Sequence, residues 1–159
     1  MPMALGHEAV ATVLEPGAIA AQHFGAGDRV VLSFNFCGEC PSCQRHAPSY
    51  CHYFFGQNFL GQRRDGSTAL SRQGQPVRHN FFGQSSFASL AIANQRNVLK
   101  LDDDADLATL APLGCGIQTG VGGVLDKSGG YVAPAGGASK PGLPEIPQLL
   151  SARTLWLFE

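Results

Sequence analysis

The chain has 159 residues, 44% of them hydrophobic, enough for one domain with a core or one domain plus a fragment. Only 14% of residues are charged while 20 are glycine, a mixture that suits a β-rich, turn-rich fold better than a helical bundle. A formal net charge of -1 gives no attraction to nucleic acid or a membrane surface, and no apolar run approaches the roughly 18 residues of a spanning helix.

In chain order, residues 9–14 (Ala-Val-Ala-Thr-Val-Leu) and 29–34 (Arg-Val-Val-Leu-Ser-Phe) read as strands, rich in β-branched side chains and bounded by Gly and Pro. Between them Phe24-Gly25-Ala26-Gly27-Asp28 is turn chemistry, with Asp28 placed to hydrogen-bond its own backbone. A cysteine-rich loop then interrupts the sheet. Residues 53–61 are aromatic and glycine-rich, and 62–79 are polar with scattered arginines, an exposed excursion. Strand character is expected to resume over 81–92 and again over Asn97-Val98-Leu99-Lys100-Leu101. Asp102-Asp103-Asp104 can cap a helix carrying Ala105 through Ala111, which Pro112 bends or restarts. Small residues from Gly114 to Val124 suit a helix packed closely on a neighbour. From Asp126 the chain is Pro- and Gly-rich, with a short apolar Tyr131-Val132-Ala133, and it ends in the apolar Leu155-Trp156-Leu157-Phe158.

Four of the five cysteines, Cys37, Cys40, Cys43 and Cys51, fall at spacing C-x2-C-x2-C-x7-C. Thiols usually scatter through cores, so such clustering needs a cause. Zn²⁺ supplies one: four thiolates close a tetrahedron, leaving no open position, which makes the site structural. Three rivals stand beside it. An iron–sulfur cluster also takes four cysteines, but the bacterial run closes with a shorter last gap and a proline. Two disulfides suit a small secreted domain, and no secretory segment precedes the cluster. Four unrelated core thiols are the plain alternative. A thiolate–metal cluster fits a reducing, cytoplasmic compartment. Gly6-His7-Glu8 and Gly114-Cys115-Gly116 are weak signals singly, because a lone His or Cys is more often structural than a ligand.

Taken together, Gly6-His7-Glu8, Gly27-Asp28-Arg29-Val30, the four-cysteine lobe and Gly114-Cys115-Gly116-Ile117-Gln118-Thr119-Gly120 occur in an order that resembles the zinc-dependent, medium-chain alcohol dehydrogenases. Residues 81–92 and 113–120 look most like the aryl-alcohol (benzyl alcohol) branch, and the resemblance runs from the first residue to about 125. It implies a mainly β (α+β) fold: a GroES-like catalytic domain with a zinc lobe, followed by a Rossmann-type domain binding nicotinamide. By the same resemblance His7 and Cys115 match two of three protein ligands of a catalytic zinc, and Glu8 matches the acidic neighbour of that metal. Thr119 matches the threonine beside the nicotinamide ring, and Cys37, Cys40, Cys43 and Cys51 match the structural zinc ligands. The implied cofactors are zinc and NAD(P), the implied partners a small alcohol or aldehyde and, as in the family, further copies of the chain. The implied reaction is hydride transfer, with zinc as Lewis acid at the alcohol oxygen. Phe34, Phe54, Phe55 and Phe82 are candidate walls of an apolar substrate pocket, with ordinary core packing as the alternative.

Two departures from the family shape the expectation. The family draws its third catalytic ligand, a cysteine, from a segment before Gly-His-Glu, and here the chain opens at that motif; Glu8, His46, His52 or His79 is left to complete the set. After Val124 the G-x-G-x-x-G turn that seats a pyrophosphate is not found, since Gly120-Val121-Gly122-Gly123 and Gly136-Gly137 have other spacings. Residues 129–159 instead resemble the distal edge of the cofactor domain, so most of a domain-sized segment is expected to be missing between Asp126 and Gly129. The expected organisation is thus 1–125, a catalytic domain lacking its first strands, and 126–159, a remnant of the nucleotide-binding domain. Two functions follow: a zinc- and NAD(P)-dependent alcohol dehydrogenase, or a zinc-stabilised fragment of one without turnover.

Overall fold

The computed structural model describes residues 2–125. Along the chain come strand β1 (Ala9–Thr12), strand β2 (Arg29–Leu32), helix α1 (Pro41–Gln44), helix α2 (Phe54–Asn58), strands β3 (Leu70–Arg72) and β4 (Gln75–Val77), strand β5 (Val98–Lys100), and helices α3 (Leu107–Leu110) and α4 (Gly116–Leu125). Short 3-10 turns fill several of the gaps. Sheet and loop together outweigh helix among the described residues, as expected for a fold rich in turns.

Strand β2 is the axis. It pairs antiparallel with β1 (Val10 opposite Val31) and with β5 (Val31 opposite Leu99), giving the order β1-β2-β5. Val30, Val31 and Leu32 are consecutive and all buried, as a central strand covered on both faces requires. Around β2 lies the core of Val13, Phe24, Val30, Leu32, Ala93 and Val98. The turn feeding β2 forms as its residues predict. Gly27 takes a positive φ of 95° without Cβ strain, its N–H returns to the Val13 carbonyl at 2.8 Å, and the Asp28 carboxylate accepts the Gly25 N–H at 2.9 Å.

Residues 62–79 form the exposed excursion expected, an antiparallel hairpin of β3 and β4. Its turn residues Gln73 and Gly74 both have positive φ (53° and 75°), the geometry whose twist matches a two-residue hairpin.

Residues 81–92 do not form the expected strand. They open with a 3-10 turn at Phe81–Gly83, flanked and followed by loop. Asn80, Phe82, Gly83 and Ser85 all take positive φ, which no strand accommodates. Tertiary hydrogen bonds hold that shape: Ser85 Oγ donates to the Ala4 carbonyl at 2.7 Å, and the Phe87 N–H donates to Leu5 at 2.9 Å. The capping expectation shifts as well. Asp106, not Asp102 to Asp104, caps α3 by accepting the Ala108 N–H at 3.1 Å, while the Asp103 carbonyl is taken by the Arg29 guanidinium. The helix does end before Pro112, continues as a 3-10 turn over Ala111–Gly114, and restarts as α4. The apolar segments expected beyond Asp126, and the boundary placed there, lie outside the described residues.

Candidate metal centres

The loop after β2 gathers its cysteines by local geometry. Gly38 turns at φ 77°, a left-handed conformation that favours glycine, and the Arg96 side chain crosses close over it. Cys40 is the N-cap of α1, Pro41 sits at its first position, and Cys43 follows within the same turn. Cys51 returns after a 3-10 turn at Pro48–Tyr50. The four sulfurs lie within 4.8 Å of one another, Cys37 Sγ 3.8 Å and Cys40 Sγ 3.5 Å from Cys43 Sγ. A tetrahedron with metal–sulfur legs of about 2.3 Å has edges of roughly 3.8 Å, so the donors fit one zinc-sized ion. They do not fit disulfides: all five cysteines are free. Backbone N–H groups point at the sulfurs, from Cys37 to Cys51 Sγ (3.4 Å) and from Glu39 and Cys40 to Cys37 Sγ (3.4 and 3.3 Å). Burial pushes the Cys40 thiol up, yet hydrogen bonds from the His52 and Cys43 backbone and the neighbouring thiols bring it down to about 6. Cys43 and Cys51 are pushed up, chiefly by burial. Metal binding to thiolates releases protons, so the affinity of such a cluster would fall with falling pH. Phe36 and Phe54 pack on this cluster.

The second group joins distant parts of the chain. His7, Glu8 and Cys115 bring one donor atom each to within 4.8 Å of one another, and these are the residues singled out from sequence. Two glycines make the approach possible. At Gly6 (φ 104°) a Cβ would sit 2.3 Å from the Phe87 nitrogen, and at Gly114 one would sit 1.8 Å from the Leu32 carbonyl oxygen. The His7 ring lies 4.6 Å from that of Phe82 and meets Phe81 edge-on at 5.9 Å. Glu8 is exposed, and its Oε1 accepts the Gly116 N–H at 2.9 Å. The Cys115 thiol is raised by burial and by the Glu8 carboxylate. An imidazole, a thiol and a carboxylate suit zinc, and three protein donors leave a fourth position for an exchangeable ligand. Of the residues proposed to complete the set, Glu8 is the one present. His79 is occupied elsewhere, its Nε2 accepting the Ala69 N–H at 2.7 Å. Thr119 lies on α4, exposed, its N–H donating to the Cys115 carbonyl at 3.0 Å.

The aromatic expectations divide. Phe82 stands against His7, whereas Phe34 is buried beside Phe54 at 5.4 Å and Phe55 is 66% exposed. Phe59 and Phe81, not singled out from sequence, join Phe82 with ring centroids 5.2 and 5.0 Å from it. Ser33, Gln84 and Gln118 were likewise not expected as site residues, though their side chains reach the main chain beside His7 and Cys115. Gln84 shares its stretch with Ser85, Ser86 and Ser89, so nothing in the local pattern marked it, and it is buried here.

Residues 1–103 match the model of the alcohol dehydrogenase GroES-like domain. The chain belongs to that family. A probable alcohol dehydrogenase of Pseudomonas sp. is 44% identical over 128 residues, covering 79% of this chain and 40% of the relative. A geraniol dehydrogenase of Castellaniella defragrans is 47% identical over 130 residues, 81% of this chain and 35% of the relative. Among solved structures, an alcohol dehydrogenase zinc-binding domain protein from Burkholderia ambifaria superposes with TM-score 0.74 at 45% identity, over 80% of this chain and 34% of that one. Benzyl alcohol dehydrogenase from Acinetobacter calcoaceticus gives TM-score 0.72 at 40% identity, over 79% and 33%. The chain thus spans between a third and two fifths of the length of these alcohol dehydrogenases. No helix among the described residues is long and apolar enough to cross a membrane.

Proposed function

We propose that this chain carries the metal centres of a zinc-dependent alcohol dehydrogenase that moves a hydride between a primary, aromatic-type alcohol and NAD(P). The observation that carries the reading is the convergence of the adjacent His7 and Glu8 with Cys115, more than a hundred residues further on, to within 4.8 Å. Cys37, Cys40, Cys43 and Cys51 would hold the structural zinc, and His7 and Cys115, with Glu8 beside them, the catalytic one. Bound there, zinc would supply Lewis-acid polarisation of the alcohol oxygen, and the nicotinamide would accept the hydride. The chain's own residues do the rest. Phe81 and Phe82 fix the His7 ring and form the apolar side of the centre, in keeping with the benzyl alcohol and geraniol activities named for its relatives. Thr119, one turn along α4 from Cys115, would meet the nicotinamide. The organisation into 1–125 and 126–159, family-like self-association, alcohol or aldehyde as partner and a cytoplasmic setting belong to the same proposal.

The second reading, zinc held without turnover, is favoured by one feature of the site. Glu8 is exposed and already engaged by the Gly116 N–H, so the third donor is the weakest of the set. Elemental analysis separates the two. Two zinc ions per chain, the second lost in His7→Ala and Cys115→Ser and the first in Cys40→Ser, are expected for the enzyme reading. A single ion that responds only to Cys40→Ser would leave the fragment reading standing.

A further inference from the structure

His7 and Cys115 are held at their separation by something other than themselves. Glu8 does bridge to Gly116, but Glu8 is exposed and is one of the donors, so a metal competes for that carboxylate. A second connection uses no donor group. Gln84, 2% exposed, donates from its amide nitrogen to the His7 carbonyl and to the Ser33 carbonyl, both at 3.1 Å. Ser33, just beyond β2, donates its hydroxyl to the Gly114 carbonyl at 2.9 Å and accepts from Gln118 Nε2 at 3.2 Å. Gln118, on α4, donates to the Gly114 carbonyl as well. Asn97, 0% exposed, anchors the hub: its Nδ2 donates to the Ser33 carbonyl at 3.2 Å, and its own carbonyl accepts the Ser33 N–H at 2.7 Å. The path thus runs from the His7 carbonyl through Gln84 and Ser33 to the carbonyl immediately before Cys115.

The chemistry at each joint is specific. Two carbonyl oxygens facing one side chain need two N–H donors, which a primary amide supplies and a carboxylate or alkyl group does not. The Gln84 Oε1 finds no partner among the described residues, so the side chain is held by its nitrogen alone. The Ser33 hydroxyl is donor and acceptor at once, a role that alanine cannot fill.

We infer that Gln84 and Ser33 are positioning residues that set the separation of His7 from Cys115 and hence the metal affinity of that centre, leaving the four-cysteine site unaffected. This rests on reading the His7–Glu8–Cys115 group as a metal centre. The test is competition of the full chain with a chromophoric chelator for Co²⁺, whose thiolate charge-transfer absorption distinguishes a four-sulfur site from one with a single sulfur. Gln84→Leu and Ser33→Ala are each expected to weaken the His7–Cys115 site by about tenfold or more, the usual effect of losing an orienting hydrogen bond, with the four-sulfur affinity unchanged. Ser33→Thr, which keeps the hydroxyl, is expected to restore it. Should Gln84→Leu fail to fold, Ser33→Ala with its rescue decides alone. Unchanged affinity of the second site, or parallel weakening of both sites, overturns the inference. If the unmodified chain takes up one ion only, or His7→Ala keeps two, the metal-centre reading itself fails and the positioning role goes with it.

Discussion

At Gly114 one hydrogen in place of a side chain fixes the candidate centre. Gly114 lies against the main chain of β2, where an added Cβ would approach the Leu32 oxygen to 1.8 Å. Backbone cannot swing aside as a flexible side chain can, so Gly114→Ala should displace Cys115 as well as strain the fold. The expected cost is about 1–3 kcal/mol, the range for overpacking, read as a lower urea midpoint with the second metal lost. Gly120 is the control. It sits inside α4 with nothing within 4 Å of an added Cβ, so Gly120→Ala should stabilise by about 0.5–1 kcal/mol. Equal effects of the two substitutions would show that the close approach at Gly114 carries no strain. Sequence reading noted small residues over this stretch but could not say which of them touch a neighbour, because that depends on a strand more than eighty positions earlier.

At the scale of elements, the turn before β2 is tied to the far edge of the sheet. Lys100 of β5 meets the Asp28 carboxylate at 2.7 Å, and the Gly25 N–H meets it from within the turn. Burial pushes the Asp28 carboxyl up, but these partners outweigh it and hold the group below its ordinary value of 3.8. A carboxyl depressed in the folded state contributes stability that is fully present above the unfolded value and is lost as pH falls through the folded one. Wild type should therefore exceed Asp28→Asn in urea midpoint at neutral pH, with the gap closing only below about pH 4. A gap that persists at pH 2 would place the effect in the shape of the turn and not in the charge. Strands β1, β2 and β5 were legible because alternating or continuous β-branched runs bounded by glycine have few other solutions. The strand expected over residues 81–92 was not, because Phe81 and Phe82 pack on His7 and Gln84 and Ser85 reach across to other segments.

Across the whole molecule, two cores stand apart: the apolar one around β2 and the sulfur cluster with Phe36 and Phe54. Their supports differ in kind. The first rests on side-chain burial; the second, with three of its four cysteines buried in a small loop, would rest on its ion. Thiolate–zinc binding contributes roughly 10–16 kcal/mol in small folded peptides, comparable to the net stability of a whole domain. Chelation should therefore loosen residues 37–51 first and leave the sheet folded, as hydrogen exchange or limited proteolysis followed by mass spectrometry would show. Simultaneous loss of protection in β2 and the lobe would mean that the two cores act as one.

The amino-acid order alone gathered the four cysteines, since they sit in one short loop whose Gly and Pro residues close it locally. It also named His7, Glu8 and Cys115, through the company that their motifs keep. Only the tertiary structure decided that the three meet, which aromatic rings line them, and that a buried amide and a hydroxyl span the gap. The reason is physical: a hydrogen bond between residues dozens of positions apart exists only once the sheet between them has brought both to the same place, and no local pattern records that distance.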